Sequence, residues 1–204
     1  MTDNIQFQEL PKKQQQLLNT ATELFCKHGV RRVTIEEICK SADISKMTFY
    51  KYFDNKWDIA HRVLQLLAME ELRFYHTIVE DETPFPQKVE NILKLSLARV
   101  HSVGIGQAFV DDLKHPESPL FAYFTDQQKK SRELAVEFFE HARQEGLIHP
   151  EIRMPVLLFM LNRLSDLLNH PEFVAIMPNV EDRIHELASI FFHGFARAQN
   201  SAPG

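Results

Sequence analysis

One apolar period runs through nearly the whole chain. Hydrophobic residues recur every three or four positions, and no stretch alternates apolar with polar residues between turn signals. Leu17, Leu18, Ala21, Leu24 and Phe25 form one stripe. Farther on, Trp57, Ala60, Leu64 and Leu67 share a helical face, while Ile59, Val63 and Leu66 share another. A period of 3.6 cannot serve a strand, whose side chains alternate with a period of two. The chain is therefore predicted to be all-α.

Prolines and glycines punctuate the pattern. Lys12 to His28 is the first predicted helix, stopped by Gly29. Thr34 with Glu37 three residues later has the form of a capping box and opens a second helix carrying Ile35, Ile38, Cys39 and Ala42. Asp43-Ile44-Ser45 interrupts it, Ser45 caps a short third helix with a Phe49/Phe53 pair, and Asp54 is the expected cap of a fourth. Thr83-Pro84-Phe85-Pro86 separates the fourth helix from the fifth, because a proline drives the residue before it out of helical geometry. Later helices are expected at roughly 87–102, 106–114, 119–145, 154–169 and 180–199, between further prolines.

Composition narrows the function classes. The 204 residues are 44% hydrophobic and 25% charged, as in ordinary globular proteins. No run of about 18 apolar residues exists, and Met1-Thr2-Asp3-Asn4-Ile5-Gln6 lacks the features of a secretory signal, so a soluble cytoplasmic protein with no membrane contact is expected. Cys26 and Cys39 are the only cysteines and are expected to be buried thiols. The net charge of -5 is unevenly spread: residues 1–56 carry nine Lys/Arg against seven Asp/Glu, and residues 57–204 carry fourteen against twenty-one. A small DNA-facing module on an acidic body would have this asymmetry.

The segment Thr34 to Phe53 is a helix, a tight turn and a helix. Once its apolar residues are assigned to a core, Ser45, Lys46, Thr48, Tyr50, Lys51 and Tyr52 remain. They form either a solvated polar face or a surface for a major groove. Hydroxyl and basic side chains near the start of a recognition helix suit base edges and phosphates. The amide groups opening each of the two helices also favour a phosphate oxygen. Lys12 and Lys13, before the first helix, are read as a solvated pair, with contact to flanking phosphates as the alternative.

Thr34-Ile35-Glu36-Glu37-Ile38-Cys39, followed by the run from Ala42 to Lys56, closely resembles the DNA-binding domain of the tetracycline-repressor (TetR) family. The resemblance extends back through Ala21, Leu24, Phe25 and Gly29. It implies a three-helix DNA-binding domain over 1–56 and a helical effector-binding and dimerisation domain over 57–204. It also implies that Thr34, Ser45, Lys46, Thr48, Tyr50, Lys51, Tyr52 and Lys56 face double-stranded DNA, with Lys51 and Tyr52 placed for bases. Asp43 and Met47 stand where many members have glycine.

In such a fold Phe74, His101, Phe109, Phe121, Phe124, Phe138 and Met160 lie on helices that would enclose an apolar or aromatic effector, although such stripes also build ordinary cores. Leu157, Leu161, Leu164 and Leu168 line one late helix, and Ile184, Leu187, Phe191 and Phe195 line the last. They serve either a single-chain core or, as the resemblance implies, a four-helix interface in a homodimer. The resulting expectation is a transcriptional repressor released from a palindromic operator by a small molecule. The alternatives are an interaction module with a vestigial helix-turn-helix, or a helical enzyme. No cofactor or metal is expected: His101, Asp112 and His115 lack ligand spacing, no glycine loop could cradle a phosphate, and no carboxylate is paired with a nucleophile or base in a motif.

Overall fold

A computed structural model of the protein describes residues 7–101, 105–168 and 170–190, without the side chains of 95–101, 162, 165 and 166. All regular structure among the described residues is helical. After a single 3-10 turn at Phe7–Glu9 come α1 (Lys12–His28), α2 (Ile35–Ser41), α3 (Lys46–Tyr50), α4 (Lys56–Glu80) and α5 (Phe85–His101). These are followed by α6 (Gln107–Lys114), α7 (Phe121–Gln144), α8 (Met154–Leu168), α9 (Pro171–Ile176) and α10 (Val180–Ser189).

The ends of the first helices follow from their caps. The Glu37 amide donates to the Thr34 hydroxyl at 3.2 Å, and the Thr34 amide donates to the Glu37 carboxylate at 2.7 Å, completing the expected capping box. Ser45 accepts from the Thr48 amide at 3.2 Å, as expected. At α4 the cap is Asn55, not Asp54: its Oδ1 accepts from the Trp57 and Asp58 amides at 2.8 and 3.1 Å. Both residues are competent caps, and the chain uses the one nearer the helix.

The chain divides into two compact units, Met1–Arg73 with Ala98–Arg132 and Phe74–Leu97 with Glu133–Gly204. Compaction thus does not divide the chain at residue 56. In the first unit Leu17, Leu18, Phe25, Ile38 and Phe49 pack in one cluster with Ile59 and Val63 of α4 and Phe109 and Leu113 of α6. The apolar half of α4 is needed to close the core of the helix-turn-helix. The second unit has its own core, including Val89, Leu93, Phe139, Leu157, Leu164, Leu168 and Ile184.

Leu157, Leu164, Leu168 and Ile184 are buried within their own chain, and Leu161 and Leu187 are half-buried against them. Phe191 and Phe195 lie outside the described residues. On α8 the opposite face carries Val156, Phe159, Met160 and Leu167, all exposed, with Phe159 at 60%. An apolar helix predicts that burial will occur but not which of its faces the chain itself will cover.

Candidate nucleic-acid interface

The α2–turn–α3 segment is locked from below. Phe49 is fully buried and makes an edge-on contact with Tyr50 and a tilted one with Phe53. From α1, Gln16 Nε2 donates to the Ala42 carbonyl at 2.7 Å, fixing the end of α2. The turn closes through Ile44 N–H to Cys39 O at 2.9 Å and passes through Asp43 at φ 49°. That left-handed conformation is usual for glycine, and aspartate tolerates it better than most residues. The departure at Asp43 therefore leaves the turn intact.

The outward side chains are set by this frame. Met47 is 84% exposed and Tyr50 55% exposed, while Ser45, Lys46 and Lys51 are also exposed and Tyr52 is half-buried against the core. Lys51 Nζ lies 5.8 Å from the Tyr52 ring centroid, a cation–π geometry that orients both residues. Lys46 forms an ion pair with Glu36 of α2, whose hydrogen bond holds the ammonium pKa above its ordinary value, so Lys46 stays charged. An exposed pair of this kind contributes little and exchanges readily for a phosphate.

Two expected DNA contacts are occupied within the chain. The Thr34 hydroxyl accepts the Glu37 amide and lies 2.9 Å from the Glu37 carboxylate, which fills the start of α2 where a phosphate was expected. The Lys56 ammonium is partly buried and donates to the Arg31 carbonyl at 2.9 Å, with the Trp57 ring centroid 5.6 Å away. The sequence did not disclose either Arg31 as a partner or Asp112 beyond it. Ser45 Oγ and Thr48 Oγ1 share a hydrogen bond at 3.0 Å, which leaves each hydroxyl further capacity.

The residues expected around an effector are divided between the two compact units. Phe109 is 1% exposed inside the first core, against which Phe124 packs, while Phe121 lies on the surface of that unit. In the second unit Phe74 and Met160 are exposed, whereas Phe138 stacks on Phe85 with centroids 5.5 Å apart. The side chain of His101 lies outside the described residues. Phe138 and Phe85 line a groove of about 460 Å³ together with Tyr75, Val79, Lys88 and Leu134. Burial pushes the Tyr75 hydroxyl up to about 12, and it donates to the Leu134 carbonyl at 2.8 Å.

Among the described residues no cluster of His, Cys, Asp and Glu could hold a metal, and no helix is long and apolar enough to cross a membrane. Asp112 accepts the Arg31 amide at 2.8 Å, and His115 Nδ1 accepts the Glu117 amide at 3.2 Å. Cys26 and Cys39 are buried free thiols.

Three known proteins give this arrangement its context. The chain is 22% identical over 139 residues to the HTH-type transcriptional repressor KstR2 of Mycobacterium tuberculosis, covering 67% of this chain and 70% of that one. It is 29% identical over 109 residues to the probable acrEF/envCD operon repressor of Escherichia coli, covering 52% and 49% of the two chains. The structure of the regulator FadR from Bacillus subtilis in complex with stearoyl-CoA superimposes with a TM-score of 0.68 at 16% identity, covering 89% of this chain and 98% of that one.

A capped helix-turn-helix closed by α4 and α6 and presenting a polar, basic face defines a DNA-binding transcriptional regulator. Residues 17–63 match the model of bacterial regulatory proteins of the tetR family, and this segment is a DNA-binding domain of that kind.

Proposed function

We propose that the protein acts as a homodimeric repressor that occupies a two-fold symmetric operator and leaves it when a small apolar or aromatic effector binds the second unit. The exposed face of α3 on a fully buried Phe49 carries this reading, because a rigid scaffold with exposed polar side chains is what groove recognition requires. Ser45, Lys46, Thr48, Tyr50 and Lys51 meet the DNA backbone, Thr34 joins them where its hydroxyl turns from Glu37 to a phosphate oxygen, and Lys51 and Tyr52 also reach base edges. Met47 adds an apolar contact suited to a thymine methyl. Lys56 borders this set with its ammonium on the Arg31 carbonyl.

The second copy docks on the exposed apolar face of α8 around Phe159. Two recognition helices then address one site, and their contributions multiply. FadR is described in complex with stearoyl-CoA, and a solved KstR2 structure is described as that of a ketosteroid regulator. Both descriptions support an apolar effector, and the Phe85/Phe138 groove is the place for its ring or chain. Effector control requires preferential binding to the conformation that does not bind DNA, since equal affinity for both conformations shifts nothing. Helix α4, whose residues belong to both units, carries the change.

Selection from a random duplex library with the purified full chain tests the reading. Enrichment of a two-fold symmetric site with half-sites about one helical turn or a multiple apart is expected. Failure to enrich any sequence would overturn it. Stabilisation by acyl or aromatic compounds in a thermal-shift series then identifies the effector class.

A further inference from the structure

The loop between α1 and α2 is gripped by two side chains that come from other helices. Gly29 adopts φ +82°, and a Cβ there would stand 2.7 Å from Asp112 Oδ2 and 3.1 Å from the Ala108 carbonyl oxygen. Glycine is therefore what lets α6 approach this closely. Immediately after it, the Arg31 amide donates to Asp112 Oδ2 at 2.8 Å, and the Arg31 guanidinium Nε lies 3.7 Å from Oδ1. The Arg31 carbonyl accepts from Lys56 Nζ at 2.9 Å. Both polar groups of one peptide residue are thus held by charged side chains. A further bond, Gly106 N–H to Cys26 O at 2.7 Å, fixes the start of α6 on the end of α1.

Lys56 differs from a phosphate-binding lysine in its surroundings. Burial pulls its pKa down, while the Asp112 and Glu37 carboxylates oppose that shift. A lysine that neutralises a phosphate keeps its donors in solvent and adds to counterion release on binding. Lys56 has instead committed a donor to the backbone. Lys46, exposed and paired with the exposed Glu36, has the opposite character.

We propose that Lys56 and Asp112 form a clamp on Arg31 that positions the α1–α2 loop, and through it Thr34 and α2, for DNA. Lys56 supports DNA affinity through this clamp and not by contacting phosphate. It is a positioning residue, as is Asp112. The inference rests on the DNA-binding reading above and assigns its residues differently from the family resemblance.

The test measures binding of the full chain to a labelled mixed-sequence duplex over a range of salt concentrations, at a temperature well below each variant's unfolding midpoint. Lys46→Gln should reduce the salt slope by about one, as loss of a phosphate contact does. Lys56→Gln should weaken binding about tenfold with the slope unchanged, the size expected for losing a hydrogen bond from a charged group. Asp112→Ala should weaken binding to a similar degree, although removing a negative charge from a DNA-binding protein would by itself tighten it. The double variant should be no weaker than either single one, because both act on the same loop. Asp112→Asn keeps an acceptor for the Arg31 amide and should retain most of the affinity.

A slope that falls by about one in Lys56→Gln would overturn the proposal. So would an Asp112→Ala protein that melts earlier but binds as tightly as the wild type. If Lys56→Gln fails to fold, the contrast between the Asp112 variants still decides. Absence of salt-sensitive binding in the wild type would instead remove the DNA reading itself.

Discussion

The two compact units of this chain differ in how completely each buries its own apolar surface. In the first, Phe25, Phe49, Phe109, Leu17, Leu18, Ile38 and Ile59 are all fully buried. In the second, Leu168 alone belongs to that class among the described residues, and α8 leaves Val156, Phe159, Met160 and Leu167 exposed. A core that closes on itself gives a rigid platform, which sequence reading requires. A unit with apolar surface left over is suited to taking up a second copy or a ligand.

The comparison can be broken most forcefully at Phe49. Phe49→Ala should cost about 3–5 kcal/mol, with loss of DNA binding, in chemical denaturation of the full chain. A cost below about 1 kcal/mol would mean the platform is not a packed core. In the second unit the comparable element is polar. Arg183 is 3% exposed, and its guanidinium donates to the carbonyls of Leu168, Met177 and Pro178 at 2.8, 2.6 and 2.7 Å. It ties the end of α8 to the segment before α10. Arg183→Met should cost about 2–3 kcal/mol by orphaning those carbonyls, and Arg183→Lys should recover only part of it, because one ammonium cannot span the same three acceptors.

Phe159→Asp sharpens the contrast by altering a side chain that the single chain leaves 60% exposed. Sedimentation should show at least about a tenfold rise in the dimer dissociation constant with little change in helix content. Unchanged association would remove α8 from the interface.

The smallest effect concerns the Thr34/Glu37 cap. Thr34→Ala should cost about 1 kcal/mol of stability, as losses of N-cap side chains do. Hydrogen bonds from the Thr34 amide and hydroxyl hold the Glu37 carboxyl below its ordinary value of 4.5. A depressed folded-state pKa means the unfolded chain takes up the proton first. The cap's contribution is therefore complete above pH 4.5 and fades as the pH falls through the lower folded value. Thr34→Ala should blunt that acid-side loss, as followed by circular dichroism.

Local chemistry was legible in the sequence, and the pairing of distant groups was not. The bounds of α1, the capping box at Thr34 and the cap at Ser45 depend on residues three or four positions apart, so spacing discloses them. The six-residue α9 is too short to show a period, and Asn55 was masked by its equally competent neighbour Asp54. The phenylalanines fared worse because a helical stripe does not say which core it joins. Phe109 went to the core of the first unit and Phe138 to a groove in the second. The Lys46–Glu36 and Arg31–Asp112 pairs join residues 10 and 81 positions apart, and composition carries no trace of either.

The central claim is that the α2–α3 face binds DNA with Lys46 and Lys51 as its working cations. The most direct measurement is the affinity of the wild type and the Lys46→Ala/Lys51→Ala double variant for a duplex across a salt series. The wild type should lose affinity steeply and linearly on logarithmic axes, and the double variant should bind more weakly with a slope reduced by up to about two if both lysines contact phosphate. Wild-type affinity independent of salt, or a double variant indistinguishable from it, would contradict the claim.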